Sequence, residues 1–120
     1  MRALVVDDSS AMRAILGMTL KRRGFEILQA RDGVEALSVL AQAESVDVVL
    51  IDWNMPQMNG LELLRRIRQQ PQYRSMQILM VTTETGMGQM SEALAAGANE
   101  YIMKPFTSDM VMDKLTLVGL

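Results

Sequence analysis

The sequence predicts an open α/β fold: five parallel strands in the order 2-1-3-4-5, flanked by five helices. Three observations carry this. Four short, almost wholly apolar runs punctuate the chain, stretches of helical period separate them, and the connections are short. Strands covered on both faces read as continuous apolar runs. Strict alternation of strand and helix then makes each helix cover one face of a common sheet.

Ala3 to Val6 is the first strand. Met12, Ile15, Leu16 and Thr19 then line one helical face, with Arg13, Lys21 and Arg22 largely on the other, and Gly24 is a stop. Phe25 to Ala30 mixes Ile27 and Leu28 with Glu26 and Gln29, as an edge strand does. Its place at an edge suits the order 2-1-3-4-5, which makes the ends of strands 1 and 3 neighbours. Val34, Leu37, Leu40 and Ala41 form a second helical stripe, and Val46 to Ile51, broken by Asp47, is the third strand. Leu61, Leu64 and Ile67 form a third stripe with Arg65, Arg66 and Arg68 outside it. Ile78 to Val81 is the fourth strand, a weaker helix covers Gln89 to Ala96 and ends at Gly97, and Tyr101 to Met103 is the fifth strand. A last helix runs from about Ser108 to Val118, and since it carries Met110, Val111 and Met112 in succession it cannot bury all three.

At 120 residues the chain is expected to be one domain, 1–120. Twelve basic and 14 acidic residues leave a formal charge of −2, which gives no general attraction to nucleic acid. Lys21-Arg22-Arg23 and Arg65-Arg66 fall on polar helix faces and read as solvated. With no cysteine and no histidine the chain lacks the usual zinc ligands and the usual general base, which excludes zinc enzymes and Ser-His hydrolases. The first apolar run stops at Asp7-Asp8 and no later run approaches membrane-spanning length, so a cytoplasmic protein is expected.

Polar residues mark one end of the strands: Asp7-Asp8 after the first, Asp52 after the third, Thr82-Thr83 after the fourth and Lys104 after the fifth. Open α/β sheets bind ligands beyond the carboxyl ends, where the strand order reverses. Asp7, Asp8 and Asp52 are therefore expected to converge. Three close carboxylates cannot all ionise cheaply without a cation among them, and Mg²⁺, with Mn²⁺ as a substitute, suits a small, open acidic site. One carboxylate can then act as a nucleophile toward phosphorus, with Lys104 and the Thr82 hydroxyl stabilising the transferred oxygens. Singly, each element has a plainer reading: Asp7 to Ser10 as helix caps, Asp52 to Pro56 as a turn, Thr82 as a turn or cap residue, Lys104-Pro105 as an extended step. The plain readings leave the shared strand end unexplained.

The motifs Leu4-Val5-Val6-Asp7-Asp8, Asp52-Trp53-Asn54-Met55-Pro56, Gly60-Leu61-Glu62-Leu63-Leu64, Val81-Thr82 and Tyr101-Ile102-Met103-Lys104-Pro105-Phe106 span nearly the whole chain. Together they resemble the receiver domains of response regulators in two-component signalling, and within that family the single-domain chemotaxis type. The resemblance implies a signalling switch rather than an enzyme. A partner histidine kinase would donate its phosphoryl group to Asp52. Asp8, Asp52 and the Asn54 backbone carbonyl would hold the metal, with Asp7 acting through water. Thr82 and Tyr101 would switch, Asn54 and Glu84 would tune dephosphorylation, and Lys104-Pro105 would be a cis peptide. A downstream protein would bind the fourth helix, fifth strand and fifth helix. On that side the chain departs from the pattern: Thr85-Gly86-Met87-Gly88 replaces a lysine-bearing helix start, and Ser9 replaces an aromatic.

An aspartate-based phosphatase would want a second acid where Asn54 stands, and an FMN carrier would need a phosphate loop where Asp7-Asp8 would repel the phosphate. The remaining alternative is a binding module that signals without phosphorylation. Against it, the acidic set with Thr82 and Lys104 is complete.

Overall fold

The computed structural model describes residues 1–83 and 87–120, apart from the side chain of Met87. Its elements run β1 (Arg2–Val6), α1 (Ser10–Arg22), β2 (Glu26–Ala30), α2 (Gly33–Gln42), β3 (Val48–Asp52), α3 (Gly60–Arg68), a 3₁₀ turn at Pro71–Tyr73, β4 (Gln77–Thr82), α4 (Met87–Ala95), β5 (Glu100–Met103) and α5 (Ser108–Leu117). The five strands form one sheet in the order β2-β1-β3-β4-β5, and all four pairings are parallel. This is the predicted architecture, with the mixed-polarity strand at the edge.

The apolar runs of β1, β3 and β4 are continuous because successive side chains enter different cores. Leu4, Val6, Val49, Ile51, Ile78 and Met80 pack on the side of α2, α3 and α4, while Ala3, Val5, Val48, Leu50, Leu79 and Val81 pack on the side of α1 and α5. Strand side chains alternate between faces, so a sheet covered on both sides has no polar positions to spare.

Short polar side chains set the helix starts. Ser9, Asp32, Asn59 and Thr107 each accept a backbone N–H of the first turn. Gly24 and Gly97 follow α1 and α4 with φ of 98° and 112°, in the left-handed region that favours glycine.

Four readings of the helical faces are corrected. On α1 the buried line is Leu16, Thr19 and Leu20, and Ile15 is 51% exposed. On α2, Gly33, Ala36 and Leu40 are buried, while Val34 is 61% exposed and Ala41 is exposed. The phase of α2 is set where Gly33 lies against Met58, whose sulfur stands 2.6 Å from the position a Cβ would take. Arg68 does not lie outside the α3 stripe. Its guanidinium donates to the Gly97 carbonyl (2.9 Å), the Tyr73 carbonyl (2.8 Å) and Asn99 Oδ1 (2.7 Å), tying α3 to the α4–β5 turn. Arg23, grouped with the solvated basic residues, likewise reaches α5 through Thr116 Oγ1 at 2.9 Å. In α5, Val111 is buried while Met110 is 40% exposed, as three successive apolar residues on one helix require.

Candidate functional site

Sheet register brings the predicted polar residues together. Val6 pairs with Ile51, so Asp7 stands one step beyond, level with Asp52. Asp52 pairs with Val81, and Thr82 with Met103, so Thr82 and Lys104 each lie one residue past the neighbouring row. The Lys104 backbone N–H donates to the Thr82 carbonyl at 2.8 Å, and the Lys104-Pro105 peptide is cis.

Asp7 and Asp52 are 2% and 6% exposed, and Asp8 is exposed. One carboxylate oxygen from each lies within 4.8 Å of the others. Lys104 Nζ donates to Asp52 Oδ1 at 3.2 Å and stands 3.7 Å from Asp7 Oδ2. Two of the three carboxylates thus face the Lys104 ammonium. Burial, and next the charge of Asp7, push the Asp52 carboxyl above its usual value of 3.8; the charge and hydrogen bond of Lys104 and the Asn54 backbone N–H pull it partly back. A buried acid in that condition holds its proton more tightly than an exposed one, unless further positive charge arrives.

The residues fit a hard divalent cation. Caps and turns account for only part of the cluster: Ser9 caps α1 and Asp7 Oδ1 accepts the Ser9 N–H at 2.9 Å. Asp7 Oδ2 is buried and, among the described residues, receives no hydrogen bond. An orphaned carboxylate oxygen beside two further carboxylates supplies the few oxygen ligands that Mg²⁺ takes while keeping several waters.

Of the remaining predicted residues, Asn54 and Thr82 adjoin this cluster. Asn54 is exposed in the β3–α3 loop, with its N–H on Asp52. Thr82 is 3% exposed. Tyr101 is half-buried, packed against the α2–α4 core, with Lys114 Nζ 4.7 Å from its ring centroid and 3.1 Å from Glu100 Oε1. Glu84, assigned to dephosphorylation, lies outside the described residues.

Two residues at the site escaped the sequence reading. A Cβ on Gly60 would come within 2.4 Å of the Asp52 carbonyl oxygen, so α3 starts in contact with the backbone of the central acid. Arg13 reaches from α1 to the Asp7 carbonyl at 2.7 Å. The glycine stood in a quoted motif, but its close approach is made by the chain turning back, and Arg13 looks like any other residue on a polar helix face.

The family model of the response regulator receiver domain matches residues 3–116. The chain belongs to the response regulator receiver family. It is similar to a chemotaxis protein CheY homolog of Campylobacter jejuni, 51% identical over 116 residues that cover 96% of this chain and 89% of that protein. Chemotaxis protein CheY1 of Helicobacter pylori is 46% identical over 119 residues, covering 98% and 96% of the two chains. Among solved structures, chemotaxis response regulator CheY4 of Vibrio cholerae superposes with a TM-score of 0.91 at 39% identity, covering 98% of this chain and 97% of that one. The chain is thus a receiver homologous to CheY chemotaxis regulators. Receivers of this family bind Mg²⁺ at an aspartate cluster of the kind formed here by Asp7, Asp8 and Asp52. Among the described residues, no helix is long and apolar enough to cross a membrane.

Proposed function

We propose that residues 1–120 act as a single receiver domain that accepts a phosphoryl group on Asp52 from a partner histidine kinase. On this reading the modification switches a surface of α4, β5 and α5 that binds a downstream protein in chemotaxis or motility signalling in the cytoplasm. The supporting observation is that a buried carboxylate, two further acids and one ammonium meet at the carboxyl end of the sheet.

An Asp52 carboxylate oxygen attacks the phosphorus of a phosphohistidine. The O–P bond forms as the N–P bond breaks, and the departing imidazole keeps the electron pair and takes a proton. These 120 residues hold no histidine, which suits a donor histidine on a partner kinase. Asp8, Asp52 and the Asn54 carbonyl, with Asp7 acting through water, would hold a Mg²⁺ ion, which would supply the positive charge that three carboxylates and a phosphoryl group require. Lys104 turns from Asp52 toward a phosphoryl oxygen, and Thr82 hydrogen-bonds another. Movement of Thr82 lets Tyr101 turn inward, which changes the face that carries Lys114 and the α5 methionines. Water later attacks phosphorus, the O–P bond breaks and the carboxylate returns. Asn54 and Glu84 set the access of that water. Such a chain is a phosphoacceptor switch, with phosphorylation and dephosphorylation as its only chemistry.

Intact-mass analysis after treatment with acetyl phosphate and Mg²⁺ should show one added phosphoryl group, absent in Asp52→Asn. Full phosphorylation of that variant defeats the assignment. No phosphorylation of the wild type favours the binding module that signals without it.

A further inference from the structure

We infer that Arg13 is a positioning residue for the acidic site, setting the peptide that joins Asp7 to Asp8. The inference rests on the proposed metal-binding role of these acids. Nearly every polar group of Asp7 is already committed. Its N–H donates to the Ala30 carbonyl at 3.1 Å, its Oδ1 accepts the Ser9 N–H at 2.9 Å, and its carbonyl accepts Arg13 Nη1 at 2.7 Å. Among the described residues only Oδ2 is left without a hydrogen bond, buried and 3.7 Å from the Lys104 ammonium.

The carbonyl bond matters because of where it acts. The Asp7 carbonyl and the Asp8 N–H share one rigid plane. Holding that oxygen fixes the orientation of the plane, and with it the point from which the Asp8 side chain starts toward the cluster. Asp8 is the exposed member of the three acids and has the least packing of its own to hold it. Arg13 is itself braced, since its Nε donates to Gln29 Oε1 at 3.0 Å. Gln29 stands on β2 opposite Val5 of β1. One guanidinium therefore links α1, the end of β1 and the edge strand across the loop that carries both acids, a two-point hold that a single ammonium cannot reproduce.

Charge and positioning predict opposite signs. If Arg13 acted only as a nearby positive charge, removing it would tighten binding of Mg²⁺. If it positions the acids, removing it loosens binding, by about tenfold on the scale of lost outer partners of metal ligands. The test is a Mg²⁺ titration followed by Trp53 fluorescence, on the full chain, for wild type, Arg13→Met, Arg13→Gln and Arg13→Lys. The two neutral variants should bind Mg²⁺ about tenfold more weakly, and Arg13→Lys should fall between them and wild type. Phosphorylation by acetyl phosphate at saturating Mg²⁺ should return to near the wild-type rate in all three. A wild type with no saturable response overturns the metal-site reading beneath the inference. If wild type responds and the neutral variants bind equally or more tightly, the inference alone falls. It falls too if weaker binding merely tracks a drop in metal-free thermal stability and Arg13→Lys restores none of it.

Discussion

Gly60→Ala should slow the proposed phosphorylation of Asp52 without replacing any proposed ligand. Gly60 is the first residue of α3, and its N–H donates to the Trp53 carbonyl at 2.8 Å. A methyl group there would meet the Asp52 carbonyl oxygen at 2.4 Å, the Trp53 Cα at 2.9 Å and Met80 Cε at 3.0 Å. Met80 can give way, being the end of a flexible chain, but the other two contacts are backbone. Opening the first from 2.4 Å to the 3.0 Å that real Cβ atoms respect means moving α3 or the Asp52 peptide by 0.6 Å. Overpacking of this kind costs about 1–3 kcal/mol. The helix preference of alanine returns at most about 1 kcal/mol, and less at a first position than in a helix interior. A net loss of about 1–2 kcal/mol corresponds to a melting temperature lower by roughly 3–10 °C for a chain of this size. The larger effect falls on the reaction, because a displacement approaching 1 Å at an attacking group costs up to about 100-fold in rate. Timed intact-mass measurement with acetyl phosphate and saturating Mg²⁺ reads the rate, and thermal unfolding reads the stability. Wild-type rate and unchanged melting would refute the claim that contact between α3 and the acceptor backbone aligns Asp52.

Three further outcomes follow from the site and the output face. Asp52→Asn should stabilise the metal-free protein: the folded state raises this pKa, so below 3.8 the carboxyl is neutral folded or unfolded and the variant gains nothing. As pH climbs from there through the raised value the unfolded chain ionises first, and the advantage of the variant should grow and then level off, as unfolding at a series of pH values in chelator would reveal. Asp8→Ala should weaken the Mg²⁺-dependent change in Trp53 fluorescence by roughly tenfold or more, since a carboxylate and its charge are both lost; an unchanged titration removes Asp8 from the metal site. On the output face Met110 is exposed and Met103 and Met112 are half-buried, so a partner held there by methionine packing should lose affinity on Met110→Gln yet respond little to added salt. A pull-down with fluoroberyllate-treated protein in which raising salt abolishes binding, while Met110→Gln does not weaken it, excludes that surface.

Much of this protein is legible in local order. The strands β1, β3 and β4 were readable because residues buried on both sheet faces must all be apolar, and the edge position of β2 because Glu26 and Gln29 interrupt its pattern. Asp7, Asp8, Asp52, Thr82 and Lys104 stood out because polar side chains at the ends of apolar strands have nowhere to go but the crevice beyond the sheet. Tertiary structure decided what depends on distance across the fold. The phase of α2 turns on Gly33 meeting Met58, the placement of half-buried Arg68 on carbonyls from two other segments, and the hold on Asp7 on Arg13 crossing from α1 to the edge strand. A side chain's neighbours along the chain report its periodicity, and hence its element. Whether an arginine faces water or clamps a carbonyl is set by residues remote in sequence, and a glycine shows its purpose only once another backbone lies against it.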